Sequence, residues 1–304
     1  MDRLRGNDRC WCGSGRKHKK CHGDVRVLQR PPVQAGKVSP PRDVPEDIER
    51  PDYVSVGSIT TPTGFQVHNP EELERMRTAC RVAAEVLSVT GAAVAPGVTT
   101  EQLDAIAHTA YIERGAYPST LHYGGSRDYP KSVCTSVNGV VCHGIPDDRP
   151  LTDGDIVNVD VTAYIGGLHG DTSATFCAGD LDEATRGLVA TTREATLRGI
   201  AAVAPGEPLI RIAEAIEPFA ASRGYSVVRN YGGHGIGKTF HAAPHINHCI
   251  TPGDTQQFRV GMTFTVEPML MSGVDSYRQG ADGWTEHLVD SMPSAQFEHT
   301  VLVT

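Results

Sequence analysis

Five residues of metal-ligating type follow one another in a span of 139 residues. They are Asp160 and Asp171 in NVDVTAYIGGLHGDTSATF, His234 in GGHGIGKTFH, Glu267 in TFTVEP and Glu298 in SAQFEHT. Four carboxylates and one imidazole make a hard, oxygen-rich set. Such a set suits a pair of divalent cations sharing bridging carboxylates better than one tetrahedral zinc. Two cations held close together activate water, which is the chemistry of hydrolases.

Positioning these side chains requires strands. Val157, Val159 and Val161 alternate with Asn158, Asp160 and Thr162, a period of two that predicts a half-buried strand. Gly166-Gly167 supplies a turn, and Leu168–Phe176 returns. A tight hairpin centred near residue 165 predicts that Asp160 and Asp171 stand opposite each other. Facing like charges are unfavourable in a sheet unless a cation lies between them.

The scaffold carries an internal echo. AAVAPG occurs at 92–97 and again at 201–206, and Arg114-Gly115 and Arg223-Gly224 keep the same offset of 109 residues. Each pair brackets an amphipathic helix. In the first copy Thr99 and Gln102 have capping-box spacing, and Leu103, Ile106, Ala107 and Ala110 form the apolar stripe. Gly115 and Gly224 fall where a helix C-cap glycine belongs. One repeat of this length points to duplicated halves. Upstream, Asn69 is a helix N-cap with Pro70 at the first helical position.

Composition bounds the remaining possibilities. The 304 residues are 39% hydrophobic and 21% charged, ordinary for a globular protein. No apolar run approaches the roughly 20 residues of a membrane span. The N-terminus lacks the apolar region of a secretory signal, so a cytoplasmic location is expected. Cys80, Cys134, Cys142, Cys177 and Cys249 are then reduced core or pocket thiols rather than disulfides. Residues 1–30 hold nine Lys/Arg and three Asp, a net +6 that leaves −14 on the rest of a chain whose total is −8. A basic head on an acidic body predicts separate tasks. The reading divides the chain into a module at 1–30, a Pro-rich linker or strap at 31–66 and a catalytic domain at 67–304.

The segments KSVCTSVNGVVCHGIP, DGDIVNVDVTAYIGGLHGDTSATF, YGGHGIGKTFH, GMTFTVEPML and SAQFEHT together resemble those of type I methionine aminopeptidases. The resemblance implies an α+β pita-bread fold: two pseudo-symmetric halves around a curved, mostly antiparallel sheet. It implies that Asp160 chelates one cation, that Asp171 and Glu298 bridge both, and that His234 and Glu267 complete the second site. Cobalt, manganese, iron and zinc all suit these ligands. It implies catalytic roles for His143, His241 and Glu267. Glu267, or another of the carboxylate ligands, accepts the water proton. His241 stabilises the tetrahedral intermediate, and His143 contacts the scissile nitrogen or the free amine. It implies a methionine pocket lined by Tyr129, Cys134, Phe240 and Trp284, where sulfur and aromatic edges suit a thioether. The activity implied is hydrolytic removal of methionine from nascent chains whose second residue is small. A Xaa-Pro-directed aminopeptidase and a non-catalytic binding protein of the same fold are the alternatives. A monomer is the expected state.

Several segments depart from that family's pattern. The stretch between Tyr123 and Pro130 is longer, which displaces Tyr123 from the pocket. Gly139 replaces an acidic residue, His241 is followed by Ala242-Ala243 instead of an acidic pair, and 285–294 is unusual. No role is assigned to His245 or His248. His18, His68, His108 and His122 are read as core or surface residues, and His169 is left between the two readings.

Cys10, Cys12, Cys21 and His22 supply three thiolates and an imidazole, a closed tetrahedral zinc set. The stretch NDRCWCGSGRKHKKCHG is similar to the SEC-C zinc motif. So few apolar residues surround it that zinc binding and folding should coincide. Arg16, Lys17, Lys19 and Lys20 offer a basic face suited to an anionic partner, of which the ribosome is the expected one.

Overall fold

The Val157–Val161 alternation lies within the longest hairpin of the protein. The computed structural model describes residues 33–124, 127–273 and 275–304, together with Asn7, Lys17 and Lys19. Strands β4 (Asp155–Ile165) and β5 (Leu168–Ala178) pair antiparallel along their whole length. Gly166 (φ 62°) and Gly167 (φ 78°) both turn through the left-handed region, which fits a two-residue hairpin loop. Because the turn is centred between residues 166 and 167, Asp160 pairs with Ser173, and Asp171 pairs with Thr162. The two aspartates are thus diagonal neighbours on one face, not directly opposed as predicted. A shift of one residue in the turn centre moves the pairing by two and accounts for the correction.

Preceding the hairpin are α1 (Asp52–Val56), α2 (Pro70–Ala92), α3 (Thr100–Glu113), β1 (Tyr117–Pro118), β2 (Cys134–Val137) and β3 (Val140–Cys142). Helix α2 starts in a capping box in which Asn69 Oδ1 accepts from Glu72 N and Glu72 returns the bond, with Pro70 at the first turn. Helix α3 has the same arrangement between Thr99 and Gln102. Leu103, Ala107 and Ala110 are buried against Val82, Val86, Val157 and Val159, and Ile106 is half-buried.

After the hairpin come α4 (Glu183–Ala201), α5 (Ile210–Ser222), β6 (Ser226–Val227), β7 (Gly233–Gly235), β8 (Ala242–Ile246), β9 (Thr263–Val266) and β10 (Met269–Met271). The chain finishes with β11 (Tyr277–Gln279), β12 (Glu286–Leu288), β13 (Ser294–Gln296) and β14 (Glu298–Leu302). The main sheet runs β1-β4-β5-β14-β9-β7-β8, with β2 also on β4, and all its strand pairs are antiparallel. A second core forms between α4, α5 and β9, from residues such as Leu188, Ile212, Ile216, Phe264 and Val266.

The 109-residue echo is structural. Gly115 N and Ala116 N donate to Ile112 O and Tyr111 O, and Gly224 N and Tyr225 N donate to Ala221 O and Ala220 O. Gly115 (φ 65°) and Gly224 (φ 85°) both adopt the left-handed conformation of a helix C-cap. Two helix pairs backing one sheet make the pita-bread architecture, and β5 meets β14 at the seam between the halves.

Residues 33–66 lie along the body. Arg42 pairs with Glu101 and Asp104, and buried Lys131 bonds Ser39, Glu101 and Asp104 beneath it. Further on, Ala243 N donates to Pro62 O, and Phe65 bridges to Ala243 in parallel. The five cysteines from Cys80 onward are free thiols. Cys134, Cys142 and Cys249 are buried, Cys80 is half-buried, and Cys177 is exposed instead of lining a core or pocket. Cys10, Cys12, Cys21 and His22 lie outside the described residues.

Candidate metal centre and substrate cleft

Ser173 of β5 is the hub of the site. It pairs with Asp160 on β4 to one side and with Glu298 on β14 to the other. Side chains two apart on a strand share a face, so Asp171 joins Asp160 and Glu298 there. His299 pairs with Val266, which brings Glu267, the residue after β9, beside Glu298. His234 on β7 completes the group through its backbone N–H, which donates to Thr265 Oγ1. The structure therefore brings all five sequence-predicted ligands together.

Ligand atoms of Asp171, His234 and Glu298 lie within 4.8 Å of one another. His234 Nε2 is 3.6 Å from Glu267 Oε1 and 3.9 Å from Asp171 Oδ2. The Gly235 carbonyl, 3.2 Å from His234 Nδ1, can only accept, so Nδ1 carries the proton. Nε2 then presents its lone pair to the carboxylates, the tautomer a cation needs. Burial holds the imidazole neutral, lowering its pKa to about 4.

The carboxylates lack compensation. Burial raises Asp160 to about 7 and Glu267 to about 8. Asp171 and Glu298 are raised well above the usual range by burial and then by neighbouring carboxylates. Asp160 Oδ1 is buried without a hydrogen-bond partner. Four buried carboxyls cannot all ionise in one place without positive charge, and among the described residues no Lys or Arg forms an ion pair with any of them. A cluster of this composition, with an unpartnered oxygen and an aimed imidazole lone pair, fits divalent cations.

Hydrogen bonds from outside the ligand set fix the acids. Thr162 Oγ1 donates to Asp171 Oδ1 at 2.8 Å. Thr265 Oγ1 donates to Glu267 Oε1 at 2.7 Å and Gln296 Nε2 to Oε2 at 3.1 Å. Glu267 N donates to His248 Nε2, which gives His248 a place beneath the site. Sequence reasoning missed these supports. Their one signal is position, since Thr162 and Gln296 each lie two residues from a ligand and Thr265 two before one.

The acids open into a cleft of about 750 Å³. Tyr129, Cys134, Phe240, Trp284, His143 and His241 all line it, as expected. Tyr129 OH donates to Gly144 O at 2.7 Å and packs edge-on to Trp284. Cys134 sits beside Asp160 in the β2–β4 pairing. His143 and His241 are neutral: burial lowers His143 to about 4, and burial with the neighbouring imidazoles lowers His241 well below its usual value.

Tyr123 corrects the sequence reading. Despite the longer loop it lines the cleft, and its hydroxyl lies 2.7 Å from His241 Nδ1. Tyr231, Ala242, Ala243, His245 and Thr61–Thr63 also line the cleft, so the N-terminal strap reaches the site. His169 is buried, with Nδ1 on Ser119 Oγ and its ring stacked on Phe240 of the cleft wall. His68 and His108 are buried and His122 pairs with Asp128, whereas His18 lies outside the described residues.

The comparisons agree with this geometry. Residues 74–304 match the model of metallopeptidase family M24, and residues 7–24 match the SEC-C motif. The chain is 52% identical to methionine aminopeptidase 2 of Mycobacterium tuberculosis, over 90% of this chain and 95% of that one. It is 46% identical to the mitochondrial methionine aminopeptidase 1D of Danio rerio, over 95% of this chain and 82% of that one. The methionine aminopeptidase structure from Rickettsia prowazekii superposes with a TM-score of 0.76 at 42% identity, covering 79% of this chain and 96% of that one. The chain belongs to metallopeptidase family M24, in its type I methionine aminopeptidase branch.

Proposed function

We propose that the protein is the aminopeptidase that removes methionine from the N-termini of nascent chains with a small second residue. The observation that carries this reading is the convergence of five ligands, from both halves, on one cleft whose wall also holds Tyr129, Cys134, Phe240 and Trp284. In this reading Asp160, Asp171, His234, Glu267 and Glu298 would hold the two cations, with Asp171 and Glu298 as the shared carboxylates. When bound, the cations supply Lewis acidity toward a peptide carbonyl and bring the pKa of water from ~15.7 toward ~7.

The chain's own groups do the rest. Glu267, or another of the carboxylate ligands, accepts the proton released by the attacking water, a role that requires it ionised. His241, oriented by the Tyr123 hydroxyl, donates from its other ring nitrogen toward the carbonyl oxygen as charge develops there. His143 contacts the amine or the scissile nitrogen. Tyr129, Cys134, Phe240 and Trp284 enclose the thioether, and soft sulfur against aromatic edges favours methionine.

Residues 1–30 form a zinc module on Cys10, Cys12, Cys21 and His22, joined by the strap at 31–66 to the catalytic body at 67–304. The match at 7–24 supports that module. Its basic side chains suit the ribosome, where substrates emerge, and a monomeric cytoplasmic enzyme fits that task. No helix among the described residues is long and apolar enough to cross a membrane.

The direct test is hydrolysis of Met-Ala-Ser against Xaa-Pro peptides with added Mn²⁺ or Co²⁺. Methionine release from the first is expected. Cleavage of the Xaa-Pro peptides alone would overturn the assignment, and no cleavage with two ions bound would indicate a binding protein. For the module, full-length protein should cosediment with ribosomes at low salt and a chain lacking 1–30 should not. Equal cosedimentation refutes the docking role.

A further inference from the structure

The unusual stretch at 285–294 is built into the wall behind His143. It docks where the sequence departs a second time, at Gly139. Leu288 N donates to Gly139 O, and a Cβ at 139 would come within 2.9 Å of Ser291 Cα. The two departures are therefore one adaptation: the missing side chain makes room for the segment. The segment pairs as β12 with β3, with Glu286 opposite Cys142, directly before His143.

Glu286 is a buried carboxylate outside the ligand set, 4% exposed. It accepts a 2.8 Å hydrogen bond from the Tyr231 hydroxyl. The Tyr231 ring meets the His143 ring edge-on, with centroids 5.5 Å apart at 84°. Trp284, two residues before Glu286, meets the same imidazole at 89° and 6.3 Å. Trp284 is itself fixed: Asp282 accepts from its N–H, and its indole donates to Arg127 O. His143 sits in the left-handed region (φ 55°), a conformation that is strained for a residue with a Cβ and that its surroundings must hold. Among the described residues no hydrogen bond holds its ring.

We infer that Glu286 is a positioning residue for the aminopeptidase reaction: it holds Tyr231 against His143, so that 284–286 fix the catalytic imidazole from two sides. Glu286 does not itself line the cleft; its carboxylate reaches the cleft wall by its hydrogen bond to Tyr231. A buried carboxylate is costly unless bonded, and here the bond it makes is to a cleft wall. The inference rests on the proposed role of His143.

The test uses the full-length Mn²⁺ enzyme on Met-Ala-Ser. Glu286→Leu and Tyr231→Phe should each lower kcat/KM roughly tenfold. The double variant should be no worse than either single one, as for residues in one network. Glu286→Gln, whose amide oxygen still accepts from Tyr231, should stay within roughly twofold of wild type. The NMR shift of the His143 ring should move in Glu286→Leu and not in Glu286→Gln. If Glu286→Leu fails to fold, Tyr231→Phe and Glu286→Gln decide. Wild-type kcat/KM in Tyr231→Phe, equal losses in the Gln and Leu variants, or additive losses in the double variant would each overturn the inference. Failure of the proposed function is distinct, since wild type itself would then not release methionine.

Discussion

The two halves of the sheet supply the same site by different means. The first half offers Asp160 and Asp171 from one uninterrupted 11-residue by 11-residue hairpin, whose register sets their spacing and whose own Thr162 holds Asp171. The second half offers His234, Glu267 and Glu298 from three separate short segments. Its geometry is completed by side chains: Thr265, Gln296 and His248 hold Glu267, and Thr265 receives His234 N–H. The helices differ likewise. Helix α3 has a full capping box, whereas α5 begins at Leu209 without a side-chain cap and contains Pro218. Duplicated architecture has diverged into a rigid half and an assembled half.

The largest effect expected lies at the seam. Asp171→Asn removes a bridging carboxylate and should lower kcat by more than ~1,000-fold while the circular dichroism spectrum persists. Near-normal turnover would contradict the ligand assignment. Next come the supports. Gln296→Leu, in the assembled half, and Thr162→Val, in the rigid half, should each weaken metal affinity about 10–100-fold. If register alone held Asp171, the Thr162 variant would bind as wild type, and the contrast between halves would sharpen.

A smaller effect is the pH dependence of stability without metal. Asp160 and Glu267 have folded pKa values raised to about 7 and 8, above their unfolded values. The folded state therefore binds more protons, and stability present at low pH is lost as pH rises through those values. The buried histidines, with lowered folded pKa values, act in the opposite sense, but only below about pH 6.5. Between about pH 7 and pH 9 the melting temperature of metal-free protein should fall, and saturating Mn²⁺ should remove the slope. A flat metal-free profile would show that the carboxyls are already ionised. Smallest are the echoed caps: Gly115→Ala and Gly224→Ala should each cost about 1–2 kcal/mol in denaturant melts, because both residues turn left-handed. Unequal losses would show that the repeat is not energetically symmetric.

How much of this was legible in sequence follows the same division. The hairpin, the N-cap at Asn69, the capping box at Thr99 and the echoed glycines are local signals, and the structure shows each of them. The facing of Asp160 and Asp171 was misjudged because one residue in the turn centre shifts a pairing by two. Tyr123 was misplaced because loop length says nothing about which residues bulge outward. His248, Gln296 and Glu286 were unreadable, since each acts across 15 or more residues of chain on a partner fixed only by tertiary packing: Glu286 meets Tyr231 at a separation of 55.

The central claim is that the rigid and the assembled halves meet in one dinuclear centre. Calorimetric titration of the metal-free full-length chain with Mn²⁺, a hard cation ill-suited to thiolates, tests it most directly. Two ions per chain are predicted for wild type, with tight binding lost in Asp171→Asn. Two ions bound equally by both proteins would contradict the account.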